Sequence, residues 1–232
     1  LALKKAMSQR AELVKAIHFL HQKGWAPATS SNYSYREAGQ SSFFVSQSGL
    51  DKGDFAEKHF LEVDASGNPI DDARKPSAET LLHCAVYKLF PEVHCVLHTH
   101  TVLNTVVSQL LQAEGAIVLE NYEILKGFSG IKTHEVSVKI PIFANTQDIA
   151  AMSIELAEFV RLNDTELRAF LIAGHGMYTW QHHRRCQKAC GSGGVFVRMW
   201  ISENEVEMLK SWNVEMKFKS WKDWKAICLL NF

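Results

Sequence analysis

The stretch PEVHCVLHTHTVLN, residues 91–104, constrains this chain more than any other. Its run Val93-His94-Cys95-Val96-Leu97 is β-branched and apolar enough for a buried strand. Residues i and i+2 of a strand point to the same side, so His98 and His100 converge on one face with Thr99 behind them. That arrangement presents two imidazoles to one metal ion. Two surface histidines at a strand end is the plainer reading of the same spacing.

A catalytic zinc usually takes three protein ligands and keeps one position open. IAGHGMYTW offers the third in His175, flanked by glycines at the end of an apolar run. Glycines there let the backbone bend and leave room beside the imidazole. His18, in the first helical stretch, and His83, on the helix before the metal strand, read as ordinary helix-surface or satisfied residues.

The rest of the chain frames this cluster. Its 232 residues, 47% hydrophobic and 22% charged, suit one large globular domain or two small ones. With 25 basic and 25 acidic residues, nothing in the charge points to nucleic acid or an anionic membrane. No apolar run approaches the ~20 residues of a membrane span, and the N-terminal stretch lacks a signal-peptide pattern. Cys84, Cys95, Cys186, Cys190 and Cys228 show no disulfide spacing, so a reducing, cytoplasmic setting is expected.

Periodicity predicts a first helix through Leu13, Val14, Ile17 and Leu20 that stops at Gly24. A polar loop at 29–32 leads into an alternating stretch and a strand at FFVS ending at Ser48-Gly49. KHFLEVDASGNPIDD predicts a strand, a Gly-Asn-Pro turn and another short strand. KPSAETLLHCAVYKLFPE predicts a helix capped by Ser77, with Leu81, Leu82, Ala85, Val86 and Leu89 as its apolar face. Thr101 to Gln112 predicts a second amphipathic helix. HEVSVKIPIF predicts a strand, DIAAMSIELAEFV a helix, and LRAFLIAGHGMYTW a strand broken by Gly174 and Gly176. The alternation points to one α/β domain with a mixed sheet.

VLHTHT, with TSSNYS and SQSG upstream, KPSAETLLH just before it and AGHGMYTW downstream, resembles the class II aldolase/adducin family. ENYEILKG and HEVSVKIPIF bring it nearest the branch that dehydrates methylthioribulose 1-phosphate in methionine salvage. The resemblance covers roughly residues 10–180. It implies a three-layer α-β-α sandwich around a mixed, largely antiparallel sheet. It also implies one Zn²⁺ per subunit on His98, His100 and His175, and a homotetramer with active sites at subunit interfaces. The implied reaction takes 5-methylthioribulose 1-phosphate to 2,3-diketo-5-methylthiopentyl 1-phosphate. A fuculose- or ribulose-phosphate-type aldolase, and an inactive or non-catalytic homologue such as an adducin-like interaction module, are the rival readings.

Matched residue by residue, the resemblance makes Glu123 the catalytic acid/base. Alone it reads as a surface carboxylate. Glu79 falls where the related aldolases carry their acid/base and is expected to be auxiliary; alone it is a helix-start glutamate. Thr29, Ser30, Asn32, Ser48, Gly49 and Ser77 are implied as donors to the substrate phosphate, with Lys126 adding charge; helix starts and loop nests bind such anions. Relatives usually have Gly where this chain has Ser31, a side chain that would crowd the loop or demand a less positive φ.

After Trp180 the resemblance stops. Relatives continue with a closing helix of the type Ala-x-x-His-x-Glu-Ala-x-Glu-Phe, whereas this chain runs QHHRRCQKACGSGG. Read one base later, codons for this segment can encode that helix, with Met199 and Trp200 forced to Cys and Gly and Leu209 able to become a stop. Residues 1–180 are therefore expected to form the domain, and 181–232 to be an aberrant, frameshifted tail.

Overall fold

The apolar run before the paired histidines forms a strand, Val93–Thr99, and the rest of the domain is arranged around it. The computed structural model describes residues 8–128, 130–163 and 167–182, with side chains described to residue 180. In chain order the elements are α1 (Gln9–Gln22), β1 (Asn32–Tyr35), β2 (Phe43–Ser46), β3 (Phe60–Val63), α2 (Thr80–Leu89), β4 (Val93–Thr99) and α3 (Val102–Leu110). They continue with β5 (Ala116–Glu120), β6 (Ser137–Phe143), α4 (Ile149–Asn163), β7 (Ala169–Ile172) and β8 (Gly176–His182). The expected aberrant tail lies outside the described residues, apart from the end of β8.

The strands form one sheet in the order β3-β2-β1-β4-β8-β7-β6-β5. Only β6 and β7 run parallel; every other neighbouring pair is antiparallel. Helices cover both faces, giving the expected three layers. On one face α2 and α4 bury Leu82, Val86, Met152 and Leu156 against Val45, Val96, Phe170, Tyr178 and Trp180. Burial of each such side chain contributes roughly 1.5–3 kcal/mol. On the other face Arg10 of α1 donates to the Tyr35 hydroxyl (2.6 Å), and Asn104 of α3 lies against the Met177 sulfur. No helix among the described residues is long and apolar enough to cross a membrane.

Five local expectations change. The helix α2 starts at Thr80 with Glu79 rather than Ser77 at its cap position, and Ser77 Oγ accepts from the Glu79 amide (3.3 Å). Leu81 is 37% exposed, because the buried stripe of α2 runs through Thr80, Leu82, His83, Val86 and Tyr87, one step round the helix. The short strand after Gly-Asn-Pro reduces to a single bridge between Val63 and Pro69, since proline offers no amide to a ladder. An unanticipated strand, β5, closes the sheet edge against β6. LRAFLIAGHGMYTW is not one interrupted strand but a tight hairpin, β7 and β8, with Ile172 opposite Gly176.

Candidate metal centre and active site

Register builds the site. Asn32 of β1 and Tyr178 of β8 both lie opposite His98 of β4, so the three side chains form one row across three adjacent strands. The row faces the start of α2, where the chain places Glu79. His100 follows at the end of β4, its backbone amide fixed on the Trp25 carbonyl (2.9 Å).

The third histidine is brought in by the β7–β8 hairpin and held by α3. Thr105 donates to the His175 carbonyl (2.9 Å), Ser108 donates to the Ile172 carbonyl (3.2 Å), and the Gly174 amide donates to Ser108 Oγ (3.2 Å). These two α3 residues lie three apart, hence on one helix face. A side chain at Gly176 would fall on the Thr99 carbonyl and press the His98 ring, so only glycine lets the hairpin approach β4 this closely.

The ligand nitrogens of His98, His100 and His175 all lie within 4.8 Å of one another, so this trio can hold a metal ion. His98 is completely buried, and its Nδ1–H donates to the Met177 carbonyl (3.1 Å). That contact fixes the ring and leaves Nε2 free for a cation, the usual support for a ligating imidazole. His98 Nε2 and His175 Nδ1 are buried atoms with no hydrogen-bond partner. Such orphaned nitrogens are costly in a folded interior, and a cation beside them fits the donor set. Burial, then the neighbouring His175, holds the His98 pKa well below the ordinary value. For His100, burial, then His98 and His175, pushes it down to about 3. His98 and His100 are therefore neutral near pH 7, the form that binds metal.

Glu79 completes the cluster. Its Oε2 lies 3.3 Å from His98 Nε2 and its Oε1 lies 3.5 Å from His175 Nε2. Two donors aim the carboxylate: Asn32 Nδ2 at 2.6 Å and the Tyr178 hydroxyl at 2.9 Å. The Tyr178 ring stacks on His98. Burial, then the Glu79 charge, raises the phenol pKa well above the usual value, so the hydroxyl remains a donor.

The candidate phosphate loops gather beside this cluster. Ser30 Oγ donates to the Pro27 carbonyl and Ser31 Oγ to the Trp25 carbonyl, the same oxygen that holds His100. Ala28 and Ser31 have φ of 49° and 69°, so Ser31 takes up the left-handed conformation expected of glycine. Thr29 is exposed. The Ser48 amide bonds the Lys75 carbonyl and the Ser77 amide bonds the Ser46 carbonyl, which sets the Ser48-Gly49 turn next to the approach to α2. Lys52, 1% exposed, ties the loops together: its Nζ donates to the carbonyls of Thr29 (3.3 Å) and Leu50 (2.9 Å). Asn32, expected as a phosphate donor, has both ends of its amide engaged, by Glu79 and by His83.

Glu123 and Lys126 stand elsewhere. They lie on a 3-10 turn after β5, paired with each other, and His134 Nδ1 is 3.3 Å from the Glu123 carboxylate. Glu123 is 70% exposed, and its pKa is lowered chiefly by the Lys126 hydrogen bond. No hydrogen bond or ion pair among the described residues joins Glu123 or Lys126 to His98, His100 or His175.

Sequence reasoning missed Lys52, Tyr178 and His83. The Glu79/His83 spacing of four on one helix and the Asn32/Ser34 spacing of two on one strand were the signals available. His18 is an ordinary satisfied residue, its Nε2 bonded to the Phe55 carbonyl.

Comparison with known proteins places this geometry in a lineage. A family model described as Class II Aldolase and Adducin N-terminal domain matches residues 11–190. A methylthioribulose-1-phosphate dehydratase of Picosynechococcus sp. is 44% identical over 205 residues, 88% of this chain and 93% of that protein. A methylthioribulose-1-phosphate dehydratase of Methylococcus capsulatus is 43% identical over 173 residues, 75% of this chain and 82% of that protein. Among solved structures, the L-fuculose-1-phosphate aldolase of Thermus thermophilus shares the fold with a TM-score of 0.65 at 20% identity, covering 87% of this chain and 93% of its own.

Proposed function

The chain belongs to the class II aldolase and adducin family, and from that premise we propose that it is a metal-dependent hydro-lyase acting on 5-methylthioribulose 1-phosphate. The product is 2,3-diketo-5-methylthiopentyl 1-phosphate, an intermediate of methionine salvage. One observation carries the chemistry: three imidazoles converge on a carboxylate that two donors hold in place. The 44% identity to a dehydratase selects the reaction.

His98, His100 and His175 would hold the cation, zinc on this reading, since imidazole suits it. A divalent ion held by these residues would supply Lewis acidity that makes the proton on carbon 3 more acidic. The loops at Thr29-Ser30 and Ser48-Gly49 and the approach to α2 at Ser77 seat the phosphate, with the buried Lys52 charge behind them. Glu79 takes the carbon-3 proton. The electron pair forms the carbon 3–carbon 4 double bond, and the carbon-4 hydroxyl leaves as water with the proton Glu79 returns. The resulting enol tautomerises to the diketone.

Glu123 carries a second reading. The motif resemblance makes it the acid/base, and it stands in an exposed cluster with Lys126 and His134 that nothing described within the chain uses. On that reading a homotetramer brings it to a neighbouring subunit's cluster; exposed Val118, Ile154 and Leu162 are apolar surface such contacts would cover. A cytoplasmic site of action goes with the pathway.

The test is product analysis with two variants. Wild type should convert 5-methylthioribulose 1-phosphate to the diketone and leave L-fuculose 1-phosphate uncleaved. Loss of turnover in Glu79→Gln but not Glu123→Gln assigns the proton transfer to Glu79, and the reverse assigns it to Glu123. Aldol cleavage of the fuculose phosphate without diketone formation would replace the dehydratase reading with an aldolase. No turnover of either would mark an inactive homologue.

A further inference from the structure

Behind Glu79 runs a line of buried polar groups that the proposed reaction does not touch. Asn32 and Ser34, two apart on β1, point to the same side of the sheet. His83 and Tyr87, four apart on α2, face them. His83 and Ser34 are fully buried and Tyr87 nearly so. The contacts are short: Tyr87 hydroxyl to Ser34 Oγ 2.8 Å, Ser34 Oγ to His83 Nδ1 2.7 Å, His83 Nε2 to Asn32 Oδ1 2.6 Å, and Asn32 Nδ2 to Glu79 Oε2 2.6 Å.

The chemistry of the last link fixes the direction of all the others. A carboxylate only accepts, so Asn32 must offer its amino group to Glu79 and turn its carbonyl oxygen to His83. The facing His83 nitrogen, Nε2, must then carry the proton, and Nδ1 must accept. Ser34 has to donate to Nδ1, which leaves its oxygen to accept from Tyr87. One arrangement of hydrogens satisfies every member, and it ends on the carboxylate beside the metal ligands.

We propose that His83 is a positioning residue whose Nε2–H locks the Asn32 amide and thereby aims Glu79, with Ser34 and Tyr87 fixing the His83 tautomer. Without that donor the Asn32 amide is free to rotate and present its oxygen to Glu79, which repels the carboxylate from the histidines. The catalytic consequence rests on the proposed hydro-lyase reading; the positioning itself does not.

Two readouts separate them, taken on the full, metal-loaded chain. In imidazole ¹⁵N spectra near pH 7, His83 should show a protonated Nε2 and an accepting Nδ1, and Ser34→Ala should shift Nδ1 towards an unbonded value. The ¹³C carboxyl resonance of Glu79, assigned by its loss in Glu79→Gln, should move in His83→Leu and Ser34→Ala. It should return towards wild type in His83→Gln, whose amide can donate to Asn32 and accept from Ser34.

Turnover should follow the resonance. In His83→Leu, kcat should fall about 10-fold or more, the scale of outer partners of metal-site ligands, with KM changed less and bound metal unchanged. His83→Gln should recover most of the rate. An Nδ1-protonated His83, an unmoved Glu79 resonance in both His83→Leu and Ser34→Ala, or full kcat in both would overturn the inference. A wild type with the expected spectra but no dehydration overturns the reaction and leaves the positioning intact.

Discussion

Tyr178 lies directly across the β4–β8 ladder from His98, its ring stacked on the imidazole at 4.1 Å and 15°, while its hydroxyl donates to Glu79 at 2.9 Å. One side chain thus holds a candidate metal-ligating ring with its face and a candidate proton carrier with its tip. Residues on one row of a sheet are fixed relative to each other by register, so ligand and carboxylate are placed by the same backbone ladder.

Tyr178→Phe separates those two roles. The stack survives and the donor to Glu79 is lost. Stability should fall by about 1 kcal/mol, a typical hydrogen-bond contribution, while kcat falls about 10-fold and bound metal is retained. Urea unfolding, kinetics and metal analysis on the same preparation check it.

Gly176→Ala strikes the approach of the hairpin to β4. The added methyl meets the Thr99 carbonyl, which is backbone and cannot step aside, and then the His98 ring. We expect a loss of about 2 kcal/mol or more, with weakened metal retention because His175 is displaced. A variant as stable and as metal-rich as wild type would show that the hairpin is less tightly docked.

Acidification should destabilise the domain through His83. Burial pushes its pKa down to about 4, from about 6.5 in an unfolded chain. Between those values the unfolded chain binds more protons, so stability is full above pH 6.5 and falls as pH drops towards 4. The groups facing the ring are Glu79, Ser34, Asn32 and Tyr178. The share due to His83 is on the order of 3 kcal/mol; unfolding curves of wild type and His83→Gln across this range should differ in slope.

Lys52 is the buried cation of the candidate phosphate site. Burial pushes its pKa down to about 8, so it is mostly charged at pH 7 and loses its proton in mildly alkaline solution. Lys52→Met should raise KM for the phosphorylated substrate about 10-fold, the value of one charge-assisted hydrogen bond, with a smaller change in kcat. Inorganic phosphate should inhibit the variant correspondingly less, and wild-type KM should rise above pH 8.

The histidine cluster was legible in the sequence because it rests on local rules. A period of two at a strand end pairs His98 with His100, and flanking glycines single out His175. The partners that aim them were hidden because they meet only through long-range register: Asn32 and Tyr178 are 146 positions apart yet flank one histidine. Lys52 sits in SGLDKG, which reads as a solvated turn, and its burial depends on a loop 23 residues earlier. Ser31 shows the converse, since the chain keeps φ at 69° there despite a side chain, with the hydroxyl anchored on Trp25. The strand β5 was missed although Ile117 and Leu119 are buried and Val118 and Glu120 exposed, the alternation of a half-buried strand.

The most direct test of the account is metal content set against turnover in the purified, dialysed protein and in the His98→Ala, His100→Ala and His175→Ala variants. Wild type should carry about one divalent ion per chain, as three imidazoles and an open position require. Chelation should abolish diketone formation and zinc should restore it, while each variant loses both metal and activity. Full turnover by metal-free wild type, or an undiminished ion content in the variants, would contradict the assignment of the His98, His100 and His175 cluster as the reaction centre.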